Sequence, residues 1–71
     1  MEENTMENVI TCNWYYYVDF DGMHAVEMEF TNAKTGVVCW KRYTGRTRKE
    51  ACTKAQRYET RVFNRAARIY G

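Results

Sequence analysis

The chain contains no proline, and only four glycines and three cysteines among its 71 residues. Without proline there is no cis-proline turn and no stiff polyproline linker. Cys12, Cys39 and Cys52 are odd in number and have no close pair. That excludes the framework of a small disulfide-stapled fold and fits a reducing compartment. No apolar run approaches the roughly 20 residues a spanning helix needs. The opening Met1-Glu2-Glu3-Asn4 is acidic, against a secretory or mitochondrial address. Together these absences lead to the expectation of an intracellular, soluble protein of the cytoplasm. Internal repeats, a glycine-rich phosphate loop and a Gly-x-Ser-x-Gly elbow are all lacking. The last absence is of one charge sign: residues 1–31 hold neither lysine nor arginine.

What is present follows the same division. Seven carboxylates lie in residues 1–31, whereas all eleven Lys and Arg lie in 32–71, beside Glu50 and Glu59 alone. The net charge of +2 therefore hides an acidic half and a basic half. Such polarity suits a polyanionic partner for the basic half, or assembly of complementary faces. The plainer reading is acidic strands docked against a basic helix within one fold. Aromatic residues make up 15% of the chain, a large supply of buriable surface for one small domain.

Met1 to Asn8 is polar and acidic and reads as a flexible tail, leaving 9–71 as a single domain. From 9 to 20 the hydropathy alternates with period two. Ile10, Cys12, Trp14, Tyr16, Val18 and Phe20 form the apolar set, which is expected to face a core. Asp21-Gly22 signals a hairpin, read as a type I′ turn with positive φ at both central residues. A return strand over 23–31 places His24, Val26, Met28 and Phe30 inward, with Ala25, Glu27, Glu29 and Thr31 on the wet face. Gly36 can supply the left-handed residue of a second turn. A third strand over 37–43 has two competing registers, with either Val38, Trp40 and Arg42 or Val37, Cys39 and Tyr43 inside.

The pattern then changes to spacings of three and four. Thr47 and Glu50 have the spacing of a capping box. Ala51, Ala55, Tyr58, Val62, Ala66 and Ile69 form one apolar stripe of a helix over 47–70. A three-stranded meander cannot cover its own apolar face, so the helix must lie across it. The fold expected is α+β: an antiparallel meander over about 9–20, 23–31 and 37–43, packed against one C-terminal helix.

Reactive side chains give little. Three cysteines and His24 supply enough ligands for zinc, but each lies in a different element with no paired knuckle. Buried cysteines acting as small apolar residues are the better reading. Cys12 and His24 could both point inward, where no substrate reaches them. Glu27 and Glu29 share a strand face that solvation explains. The expectation is no enzyme, with no catalytic residue, no metal and no cofactor.

The basic residues give more. Arg46, Arg48 and Lys49 crowd the helix start, where free amides favour anions. Lys54, Arg57, Arg61, Arg65 and Arg68 continue along one flank, roughly a quarter-turn from the apolar stripe. Such a row can follow a phosphate backbone, although lysine and arginine also commonly solvate an exposed helix. Tyr15, Tyr17 and Trp40, on the outer sheet face, could stack on bases or contact a partner. Cross-strand aromatic pairing is the plainer account of them.

Three strands followed by a helix, with Asn32-Ala33-Lys34-Thr35-Gly36 and Thr47-Arg48-Lys49-Glu50-Ala51, resembles the arm-type DNA-binding domain of phage integrases and the plant AP2 domain. The likeness covers residues 9–70. It implies a sheet that enters the major groove and a helix that braces it. Strands one and two here carry carboxylates where those families carry basic residues. Gly45 to Ala51 also resembles the start of the final helix in double-stranded RNA-binding domains, which implies phosphate contacts by Arg48 and Lys49. The Thr-x-x-Glu-Ala start after three strands is similar to HicB-type antitoxin domains as well. These readings converge on a small module of phage or mobile-element type that binds DNA or RNA through its helix, in the host cytoplasm. The alternative is a protein-binding inhibitor of a host defence complex, anti-CRISPR-like or a nucleic-acid mimic. A homodimer joined through an edge strand or through opposed charged faces is a third reading.

Overall fold

The computed structural model describes residues 9–70, with the side chains of 9–69. The expected acidic tail over 1–8 lies outside the described residues. Three strands, β1 (Ile10–Val18), β2 (His24–Asn32) and β3 (Val38–Gly45), precede one helix, α1 (Arg48–Tyr70). The sheet is an antiparallel meander in the order β1-β2-β3. This is the α+β arrangement that the change of period implies.

Register decides which residues meet the helix. Met28 lies opposite Trp14 on one side and Lys41 on the other, and Phe30 opposite Cys12 and Cys39. Directly opposed residues share a face. Cys39, Lys41 and Tyr43 therefore lie on the helix side, while Val38, Trp40, Arg42 and Thr44 lie on the open side. The core joins Val26, Met28 and Phe30 of the central strand to Ala51 and Ala55 of α1, with Ile10, Cys12, Tyr43, Cys52, Tyr58 and Val62 around it. The alanines let the helix backbone approach the sheet. Met28 and Val26 are fully enclosed, and each such burial stabilises by about 1.5–3 kcal/mol. Tyr58 closes the β3 side, with its ring 5.8 Å from those of both Phe30 and Tyr43.

The inward set expected of β1 is corrected in its second half. Trp14, Tyr16 and Val18 occupy the helix side of the sheet, yet remain 37%, 40% and 53% exposed. The helix lies over β2 and β3, so only Ile10 and Cys12 of this edge strand pack under it. Phe20 is fully exposed, because it sits in the turn beyond the strand. Ile69, expected in the buried stripe, is 66% exposed. Twenty-three helical residues span ~34 Å and nine strand residues ~30 Å, so the helix outruns the sheet. Cys39 is exposed on its edge strand, not buried, whereas Cys12 and Cys52 are half-buried.

The first turn is also corrected. Gly22 has φ 79° and Gly36 φ 78°, but no non-glycine described residue has positive φ, so Asp21 does not complete a type I′ turn. Gly22 N–H donates to Asp19 O, and Asp19 N–H to Met23 O. The loop is thus a three-residue one, a type I turn followed by a left-handed glycine. Asp19 makes it so: its Oδ1 accepts from the amides of Asp21 at 2.9 Å and Met23 at 3.0 Å. In the second turn the Asn32 side chain does the same for Lys34 and Thr35.

Candidate nucleic-acid interface

The helix start is built as its sequence requires. Thr47 Oγ1 accepts from Glu50 N–H at 3.1 Å. Glu50 Oε1 reaches back to the Arg46 amide at 2.7 Å, one residue before the cap. Gly45 makes this possible. A Cβ there would lie 2.8 Å from the Ala51 nitrogen and 2.9 Å from Glu50 Cβ.

Beyond the cap, the helix divides its charges. Lys54 Nζ donates to the Thr44 carbonyl of β3 at 2.9 Å and lies 3.8 Å from Glu50. Arg61 lies over the Tyr58 ring, which packs against Tyr43 of β3. Arg65 borders a groove formed with Phe30, Thr35, Val37 and Cys39. The row Lys54, Arg57, Arg61, Arg65 and Arg68 therefore follows the β3 side of the helix. All five are exposed. From Lys54 to Arg68 the row extends ~21 Å, the rise of about six steps of a duplex strand. Lys41 adds to it from the sheet, with its ammonium 5.2 Å from the Tyr58 ring and 5.4 Å from that of Tyr43.

Among the described residues, the carboxylates are elsewhere or already engaged. Glu59 faces the opposite flank, where it borders a shallow groove with Ile10, Cys12 and Phe63. There burial, and then the Glu59 carboxylate, push the Cys12 thiol up to about 11, so Cys12 is a protonated, poor nucleophile at neutral pH. The partner of Cys12 is thus Glu59, not His24. Arg46, Arg48, Lys49, Arg57, Arg61, Arg65 and Arg68 form no ion pair with Asp or Glu among the described residues.

Three residues of the sequence-level site stand apart from this row. Arg48 turns toward β1, its guanidinium 4.8 Å from the centre of the Tyr16 ring. Tyr16 in turn stacks on His24 and hydrogen-bonds its Nδ1. Arg46 precedes the helix, and Lys49 lies on its outer surface.

The aromatic residues Tyr15, Tyr17 and Trp40 lie on the other face of the sheet. Tyr15 and Trp40 pair with ring centres 5.9 Å apart. Tyr15 and Asn13 both donate to Glu29, and Tyr17 donates to Glu27 at 2.8 Å. Arg42 completes the network, donating to the Tyr17 hydroxyl at 2.8 Å and to Asp19 at 3.1 Å. The structure separates these aromatics from the helix row by the thickness of the sheet. It also mixes them with carboxylates that repel phosphate.

Sequence reasoning missed Lys41 and the Arg48–Tyr16–His24 stack. Lys41 was detectable only after the β3 register was known, because it shares parity with Tyr43. Among the described residues no group of three His, Cys, Asp or Glu side chains is placed to hold a metal ion, and no helix is long and apolar enough to cross a membrane. Comparison with protein-family models, curated proteins and solved structures returns no match, so what this chain binds must be argued from its own surface.

Proposed function

We propose that the chain is a small, non-enzymatic nucleic-acid-binding module, of phage or mobile-element type, that uses the β3-side flank of α1. One observation carries this reading: Arg57, Arg61, Arg65 and Arg68 form no ion pair among the described residues, while Glu50 and Glu59 are held elsewhere. A merely solvated helix gains from alternating signs at i,i+4. Here Arg57–Arg61 and Arg61–Arg65 are like-charged pairs, each unfavourable by about 0.2–0.5 kcal/mol until an anion neutralises them. Lys54, Arg57, Arg61, Arg65 and Arg68 would neutralise phosphates, with Lys41 beside them and Arg46, Arg48 and Lys49 at the helix start. DNA and RNA share the backbone chemistry this row recognises.

A gel shift with nuclease-treated protein and mixed DNA and RNA probes tests the proposal. Retardation by the wild type and its loss in an Arg57→Ala, Arg61→Ala variant are expected. No retardation of any probe at low salt would contradict it.

The open sheet face supports a second reading. Exposed Tyr15 and Trp40 beside Glu27 and Glu29 suit a protein surface better than a phosphate backbone. On that reading the chain is an inhibitor that contacts a host defence complex. A stoichiometric protein retained from host lysate after nuclease treatment, and released by Trp40→Ala, would favour it.

A further inference from the structure

The two edges of the sheet differ in protection. β3 carries Lys41 and Arg42, and its outward Thr44 carbonyl is taken by Lys54. Charges on an edge strand discourage pairing with another strand. β1 has no such guard: Ile-Thr-Cys-Asn-Trp-Tyr-Tyr-Tyr-Val contains no charged residue, no glycine and no proline. Among the described residues, these nine β-branched, aromatic and small polar residues thus form a long open edge.

The polar groups on that edge can be identified. Asp19 N–H bonds Met23 O, and Ala33 N–H bonds Val9 O, so the odd-numbered residues of β1 direct their backbone groups to β2. In an antiparallel ladder the direction alternates. Ile10, Cys12, Trp14, Tyr16 and Val18 therefore point their N–H and C=O groups outward. Their side chains lie on the helix side, where α1 leaves Trp14 and Val18 exposed and covers Tyr16 in part with the Arg48 guanidinium. Free backbone groups and an uncovered aromatic surface coincide on the same strand.

We propose that a second copy of this chain pairs antiparallel across the β1 edge, centred on Trp14, to form a continuous six-stranded sheet. This register places Trp14 opposite Trp14, Cys12 opposite Tyr16 and Ile10 opposite Val18, and uses the whole strand. A two-fold axis brings each strand against itself, so a charge at the centre of the strand would meet its like. β1 alone among the strands has none, which favours a second copy over a charged peptide. Both helices then lie on one side of the sheet, with Trp14, Tyr16 and Val18 of each copy in the cleft between them. The basic flanks lie on the far β3 sides, so the pairing does not depend on nucleic acid.

Sedimentation of the nucleic-acid-free chain should give twice its 8.5 kDa mass, unchanged between low and high salt. Trapping tests the register. Opposed hydrogen-bonded residues have Cα atoms about 5.5 Å apart, within disulfide range. Tyr16→Cys in a Cys39→Ser, Cys52→Ser background should give a covalent dimer through Cys12 on mild oxidation. The same background with Tyr16 intact should not. An 8.5 kDa species at every concentration, or a dimer that Tyr16→Cys fails to trap, would overturn the proposal.

Discussion

Gly45 sits where a side chain has no room. It is buried between the end of β3 and the helix cap, and an added methyl would crowd the Ala51 backbone nitrogen and the Glu50 Cβ. Gly45→Ala is expected to destabilise the domain by about 1–3 kcal/mol, read as a lowered urea midpoint at unchanged slope. Asp19 acts through charge. Its carboxyl lies below the usual aspartate range, chiefly because Met23 N–H donates to it, and further because of Asp21 N–H and Arg42. A carboxylate whose pKa falls on folding adds stability above its unfolded value, about 3.9, and loses it as pH falls through the folded value. Urea midpoints measured from pH 6 to pH 2 should therefore separate wild type from Asp19→Asn most at pH 6 and bring them together near pH 2. Neither role was legible in the residue string. Asp21-Gly22 was visible as a turn, but the residue that shapes the loop, Asp19, fell inside the preceding alternation and was counted there as a strand position.

At the scale of elements, α1 was the most legible part of the chain. Its cap, Thr47 with Glu50, its stripe through Ala51, Ala55, Tyr58, Val62 and Ala66, and its basic flank all follow from local spacing. What spacing could not supply was where the helix lies across the sheet. Trp14 and Val26 have the same period-two signature, yet one is on an edge strand beyond the helix and the other on the central strand beneath it. The β3 register was equally hidden, because Trp40 and Tyr43 are both aromatic and only pairing with β2 separates them. The flank yields its own prediction. Arg61→Glu replaces two like-charged i,i+4 pairs with opposite-charged ones and should raise stability by roughly 0.8–2 kcal/mol at low salt. Thermal unfolding should show this gain in the variant that loses nucleic-acid binding. A loss of stability would mean that Arg61 serves the fold through its contact with Tyr58.

The whole molecule has two dissimilar sides. On the open sheet face, Glu27, Glu29 and Asp19 are held by hydrogen bonds from Asn13, Tyr15, Tyr17 and Arg42, so each carboxylate there has a donor although Arg42 is the one cation among them. On the β3 side of the helix, Lys41, Arg57, Arg61, Arg65 and Arg68 find no such balance among the described residues. Among the described residues, the acidic and basic halves of the sequence do not simply neutralise each other across the fold, which was the plainer expectation. The salt dependence of nucleic-acid affinity tests this account most directly. Each phosphate contact to a duplex contributes about 0.9 to the slope of log K against log salt. Wild type should lose affinity steeply as salt rises, and an Arg57→Ala, Arg61→Ala, Arg65→Ala variant should show a slope smaller by about 2–3. An affinity indifferent to salt, or equal slopes for the two proteins, would contradict it.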